Sequence, residues 1–164
     1  KAITTTADRF KTNLSVIKCV IKSNENRSLL LLKRILHLLK DKVKNKKICF
    51  LGVTFKANTD DMRDSSCLSI IPSLIKKGAK INYFDPTGKK IEFKNLKNVN
   101  FSENIHSAIK DSDMIIIHTE WNDFKSINFK KYVKNKNFIL FDMRNLYSPI
   151  KMKEKKIKYF SVGY

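Results

Sequence analysis

The stretch ICFLGVTFKANTDDMRDSS, residues 48–66, decides the fold. Ile48 to Val53 is an unbroken apolar run, suited to a strand buried on both faces. Ser65 or Ser66 can then cap a helix that runs to Lys77, with Leu68, Ile71, Leu74 and Ile75 inward and Gly78 closing its end. Lys80 to Phe84 follows as a second strand, ended by Asp85-Pro86. A strand, a helix and a strand at this spacing form a βαβ unit, which demands parallel pairing and a right-handed crossover.

The pattern repeats toward the C-terminus. Residues 87–101 are irregular, with a short strand near Val99 to Phe101, and Ser102 to Lys110 reads as a short helix. Met114 to His118 is a strong central strand, Ser126 to Val133 a weaker helix, Phe138 to Asp142 another strand and Lys158 to Val162 an edge strand. The predicted architecture is α/β: a Rossmann-like, mostly parallel sheet with helices on both faces. Ligands of such sheets bind at the carboxyl ends of the strands.

Toward the N-terminus the period changes to that of a helix. From Ala2 to about Lys44, apolar residues at Leu14, Ile17, Val20, Ile21, Leu31, Leu32, Ile35, Leu38 and Leu39 recur every three or four positions. A short helix over Ala2 to Phe10 and a long one capped at Asn13 are expected. The polar residues Ser23 to Arg27 interrupt the stripe, as an exposed turn of helix or as a polar seam between two subunits. A long helix cannot cover its own apolar face, so a partner domain or a second copy is expected to do so. These features predict a helical linker and dimerisation segment over residues 1–44 and a ligand-binding domain over residues 45–164.

Composition narrows the choices. A chain of 164 residues supports one ordinary domain and an appendage, so an enzyme built on two such domains would be incomplete here. No run is long and apolar enough to span a membrane, and the start KAITTTADRF lacks the form of a secretory signal, so a cytoplasmic location is expected. Cys19, Cys49 and Cys67 are too few and too scattered for a disulfide framework or a zinc site and are expected to be free, mostly buried thiols. The net charge of +19 invites a reading from another class, a basic nucleic-acid-binding module. Against it, 29 of the 34 basic residues are Lys and they spread along the whole chain, as on a solvated surface.

The strand ends carry the chemistry. Gly52 stands alone where a dinucleotide-binding turn would show G-x-G-x-x-G, so this sheet is not expected to cradle NAD in the usual manner. Instead the first strand end offers Lys56, Asp60, Asp61 and Arg63, as an anion site or as a salt-bridged loop. Further along come His118-Thr119-Glu120-Trp121 and Asp142-Met143-Arg144-Asn145. Arg144 suits an anion clamp or a partner for Asp142 or Glu120. Trp121 offers a flat face to a base or sugar, or packs against a helix. His118 is the one histidine a ligand could reach, though a core or supporting role is favoured; His37 and His106 show no partner.

Four of these segments, in order, resemble the UDP-glucose and UDP-mannosaminuronate type dehydrogenases. Leu51 to Lys56 with Asn58 to Ser65 is similar to LGLxFKxxTDDxRxS. Asp85-Pro86 matches YDP with Phe84 for Tyr, and Thr119-Glu120-Trp121 with Phe124 matches TEWxxF. Asp142 to Pro149 matches DxRNxYxP, with Met143 where Gly is common and Ser148 where an acid is usual. Lys1-Ala2, Thr6-Ala7 and Val20 to Arg27 resemble the stretch after the family's catalytic cysteine, so the likeness covers essentially the whole chain. It implies that Phe55, Lys56 and Arg144 bind a UDP-sugar and that Arg63 approaches NAD, itself held mainly by another domain. It further implies a nucleophilic cysteine ahead of Lys1, none of Cys19, Cys49 or Cys67 filling that role. The activity implied is two-step oxidation of UDP-glucose to UDP-glucuronate in a homodimer joined through the long helix, with this chain inactive alone. UDP-N-acetylmannosamine is the alternative substrate.

Overall fold

The structure, a computed structural model, describes residues 14–163. The helix expected over Ala2 to Phe10, the Asn13 cap and the resemblance at Lys1 to Ala7 lie outside them. Helix α1 (Ser15–Leu38) leads into strand β1 (Lys47–Leu51), helix α2 (Cys67–Lys76), strand β2 (Lys80–Phe84) and strand β3 (Val99–Phe101). Helix α3 (Ile105–Ile109), strand β4 (Met114–Ile117), helix α4 (Phe129–Tyr132), strand β5 (Ile139–Asp142), helix α5 (Pro149–Glu154) and strand β6 (Lys158–Ser161) complete it. The sheet order is β3-β2-β1-β4-β5-β6, and every pairing is parallel. This is the doubly wound Rossmann order, whose direction reverses between β1 and β4.

The unbroken apolar run of β1 has a direct cause. Ile48 and Phe50 enter one core with Ile35, Ile70, Ile71 and Leu74, while Cys49 and Leu51 enter the opposite core with Ile109, Phe124 and Phe129. Strand β4 divides the same way, Met114 and Ile116 against Ile115 and Ile117. Both parities are buried, so no polar alternation can appear in the sequence. Each such fully buried side chain stabilises the fold by roughly 1.5–3 kcal/mol.

Several boundaries differ from the sequence reading. Strand β1 stops at Leu51 because Gly52 takes a left-handed φ of 74° and donates its N–H to the Phe84 carbonyl at 2.8 Å. Helix α1 stops at Leu38, short of Lys44, because Lys40 and Asp41 adopt φ values of 51° and 57°. Helix α3 starts only at Ile105, where the Asn104 side chain accepts the Ser107 N–H at 2.8 Å. Helix α4 is likewise trimmed to four residues behind an Asn128 cap. Helix α5 was not anticipated; Ser148 caps it and Pro149 occupies its first turn. Among the described residues, no helix is long and apolar enough to cross a membrane.

Burial along α1 is uneven. Ile35 is fully buried against the sheet, with Leu31, Leu32 and Leu36 packed around the same core. Val16, Val20, Leu29 and Leu30 stay exposed.

Candidate functional site

Where the strand order reverses, the chain leaves β1 through Gly52 and β4 through His118, and the two loops press together. A Cβ built on Gly52 would lie 2.6 Å from the Thr119 Cβ, so only glycine lets these backbones approach this closely. Two buried carboxylates fix the loops around this point. Asp85, at the end of β2, accepts the Val53 N–H at 2.8 Å and the Thr54 N–H at 3.4 Å through Oδ2, and the Thr87 N–H at 3.0 Å through Oδ1. The equally buried Lys90 ammonium lies 3.7 Å from Asp85 and balances its charge. Asp142, at the end of β5, accepts the Arg144 N–H at 2.9 Å, the Tyr147 N–H at 3.1 Å and the Tyr159 hydroxyl at 3.0 Å. Both carboxylates therefore act as backbone anchors.

The loop after Thr54 is closed by the Phe55 N–H donating to the Asp61 carbonyl at 2.9 Å. It holds Phe55 half exposed, at 51%, an unusual position for a large apolar ring. Phe55 and Arg144 line one open cavity of about 900 Å³ together with Ser66, His118, Met143 and, from α1, Asn24, Arg27 and Ser28. Lys56, next in the chain and exposed, does not line that cavity; hydrogen bonds from Arg63 first, and the Lys56 charge last, hold the Asp61 carboxyl below its ordinary range. Arg63 forks onto Asp61, its Nε 3.0 Å from Oδ1 and its Nη2 2.9 Å from Oδ2, while 88% of its side chain stays exposed. The salt-bridged reading of this loop thus holds for the Asp61–Arg63 pair.

Arg144 is paired as well, its Nε donating to Glu120. Burial pushes the Glu120 carboxyl up, but the Arg144 hydrogen bond and the other favourable contributions outweigh it and hold the group below its ordinary range. His118 is buried between Ser66 Oγ, 2.8 Å from its Nε2, and Thr119 Oγ1, 3.1 Å from its Nδ1. Burial first, then the Arg144 charge, pushes its pKa down to about 4, so the ring is neutral near pH 7. Trp121 packs into the core under α3 and α4, and His106, which showed no partner in the sequence, stacks on Tyr132 with ring centroids 3.6 Å apart. Cys49 and Cys67 are fully buried, and burial pushes both thiols well above the ordinary range, which removes them as nucleophiles. Cys19 is exposed on α1.

The turn after β1 does not fit the pyrophosphate of a dinucleotide. The backbone N–H groups of Val53 and Thr54 that would face it are given to Asp85, and Thr119 fills the approach at Gly52. Sequence reasoning offered Ser66 as a helix cap and Asp142 as a partner for Arg144, and it missed the bond from Ser66 to His118, the wedge of Thr119 and the anchoring of backbone amides by Asp85 and Asp142. The signal for the two carboxylates was present, an acid at each strand end before a turn-forming Pro or Asn; that for Ser66 and Thr119 was not, since their partners lie 52 and 65 residues away.

A doubly wound parallel sheet with two cationic loops at its switch point, and without a phosphate-cradling glycine turn, has the form of a Rossmann-like binding domain. Residues 49–149 match the UDP binding domain of the UDP-glucose/GDP-mannose dehydrogenase family, and the chain belongs to that family. It is 38% identical over 151 residues to a UDP-glucose 6-dehydrogenase of Rickettsia conorii, covering 90% of this chain and 35% of that protein. With a UDP-glucose 6-dehydrogenase of Bacillus subtilis it shares 32% identity over 168 residues, covering 99% of this chain and 37% of the relative. The fold superposes on a UDP-glucose dehydrogenase from Pyrobaculum islandicum with a TM-score of 0.71 at 20% identity, covering 86% of this chain and 31% of that one. The chain therefore spans about a third of the length of these relatives.

Proposed function

We infer that this chain is the UDP-sugar-binding part of an NAD-dependent UDP-glucose 6-dehydrogenase, which oxidises UDP-glucose to UDP-glucuronate. The observation that carries the reading is the convergence of Phe55 and Arg144, 89 positions apart in the sequence, on one cavity beside the switch point of a sheet in the matching family. Phe55 offers a ring face and Arg144 a planar cation to a dianionic nucleotide-sugar, with Lys56 adding charge at the rim. Holding the substrate in one pose is the contribution of this part, since a fixed near-attack geometry lowers the barrier to each oxidation. The chemistry that bound NAD would supply is acceptance of a hydride from the sugar C6, once in each of two oxidations. Arg63 would meet it from the exposed side of the loop, while most of the NAD contacts and the nucleophilic cysteine would come from beyond residues 1–164. Residues 1–44 would serve as linker and dimer contact, residues 45–164 as the binding domain.

The test is a comparison in the full-length protein. Arg144→Ala should raise the KM for UDP-glucose by about tenfold to a hundredfold, the usual worth of a charged hydrogen bond, and leave the KM for NAD within about twofold. Equal effects on both would refute the assignment of Arg144. A faster reaction with UDP-N-acetylmannosamine than with UDP-glucose would move the chain to the alternative substrate.

A further inference from the structure

One wall of the cavity carries a chain of hydrogen bonds whose direction follows from the chemistry of its last atom. The Thr54 carbonyl can only accept, so the Thr119 hydroxyl, 2.9 Å away, donates to it. With its hydrogen committed there, Thr119 Oγ1 meets His118 Nδ1 at 3.1 Å as the acceptor, which places the ring hydrogen on Nδ1. A neutral imidazole has one such hydrogen, so Nε2 is bare, and the Ser66 hydroxyl donates to it across 2.8 Å. The lone pairs of Ser66 Oγ are left facing outward, half-buried, on a wall shared with Phe55 and Arg144.

The surroundings hold this polarity in place. Thr119 is fully buried and wedged against Gly52, where no side chain would fit. The amides that follow Ser66 at the start of α2 are already engaged: the Cys67 N–H is taken by Ser65 Oγ at 3.3 Å, the Leu68 N–H by the Ser65 carbonyl at 3.1 Å, and the Ser69 and Ile70 N–H groups by the Ser66 carbonyl at 3.2 and 3.0 Å. A guest at this wall therefore meets an acceptor. A phosphate oxygen is unfavourable there, whereas a hydroxyl is matched.

We propose that Ser66 is a specificity-determining residue for the sugar end of the ligand: its oxygen, set as an acceptor by His118 and Thr119, takes a hydrogen bond from a hexose hydroxyl held beside Arg144. His118 and Thr119 act through Ser66 as positioning residues. The proposal rests on the UDP-sugar reading above and adds which ligand group this wall selects.

Calorimetric titration of the full-length protein with UDP and with UDP-glucose separates the two. Ser66→Ala should weaken UDP-glucose by about fivefold to tenfold and leave UDP within about twofold, since only the hexose loses a partner. Ser66→Thr, which keeps the hydroxyl, should restore UDP-glucose to within about twofold of the unsubstituted protein. In 15N-histidine-labelled protein, His118 should show the Nδ1-protonated tautomer, and its Nε2 resonance should move in Ser66→Ala. Equal loss of UDP and UDP-glucose in Ser66→Ala, no loss of either, or an Nε2-protonated His118 would overturn the proposal while leaving the UDP-sugar reading intact. Absence of UDP binding by the unsubstituted protein would overturn that reading and the proposal with it.

Discussion

Single residues at the strand ends serve as anchors, and their energetics can be measured. Asp85 joins three backbone donors and the buried Lys90, so Asp85→Ala leaves an unpaired charge in the interior. The expected loss is roughly 3–5 kcal/mol of unfolding free energy, measured by urea titration; a loss below about 1 kcal/mol would show that Lys90 escapes to water. His118 makes stability depend on pH in a definite sense. Its pKa lies near 4 in the folded chain against an ordinary 6.5, so below about 6.5 the unfolded chain takes up a proton that the folded chain refuses. The contribution is fully present above that pH and declines toward 4, with about 2 kcal/mol lost between pH 7 and pH 5. His118→Gln should flatten that part of the profile; an equally steep profile in the variant would place the titration on another group.

At the scale of elements, the sequence was most legible where burial is two-sided and least where a cap decides. Strands β2 and β3 carry the bounds read from the sequence, because the apolar runs are cut by Asp85-Pro86 and Ser102. Strand β1 was overrun by two residues, because Val53 is as apolar as the strand but follows a glycine whose left-handed turn exists only against Thr119. Helix α5 was missed although Ser148-Pro149 is a good start signal, since its short, Lys-rich run shows little periodicity. Ser65 and Ser66 were both reasonable caps. The fold assigns the capping bond to Ser65, through the Cys67 N–H, and turns Ser66 toward His118. Asp85 and Asp142 could be seen as strand-end acids, but their work on Val53, Thr54 and Arg144 depends on which loops lie beside them.

Across the whole molecule, the unfinished surface is on α1. Val16 and Leu30 are 75% and 62% exposed, whereas Ile35 on the same helix is fully buried. If a second copy covers this face in the full-length protein, Leu30→Glu should halve the mass seen by sedimentation equilibrium; an unchanged mass would give the face to another domain. The sequence by itself determined the βαβ order, the parallel sheet and the strand ends that carry Phe55, Lys56, Arg63 and Arg144, because hydrophobic period and turn chemistry are local properties. It also excluded a dinucleotide turn at Gly52. Only the tertiary structure decided which of those groups share a cavity, that Arg63 and Arg144 are paired with Asp61 and Glu120, and that Ser66 turns to His118 on the wall of that cavity. Those outcomes depend on the approach of loops distant in the chain, and no periodicity within one segment encodes which loop will lie next to it.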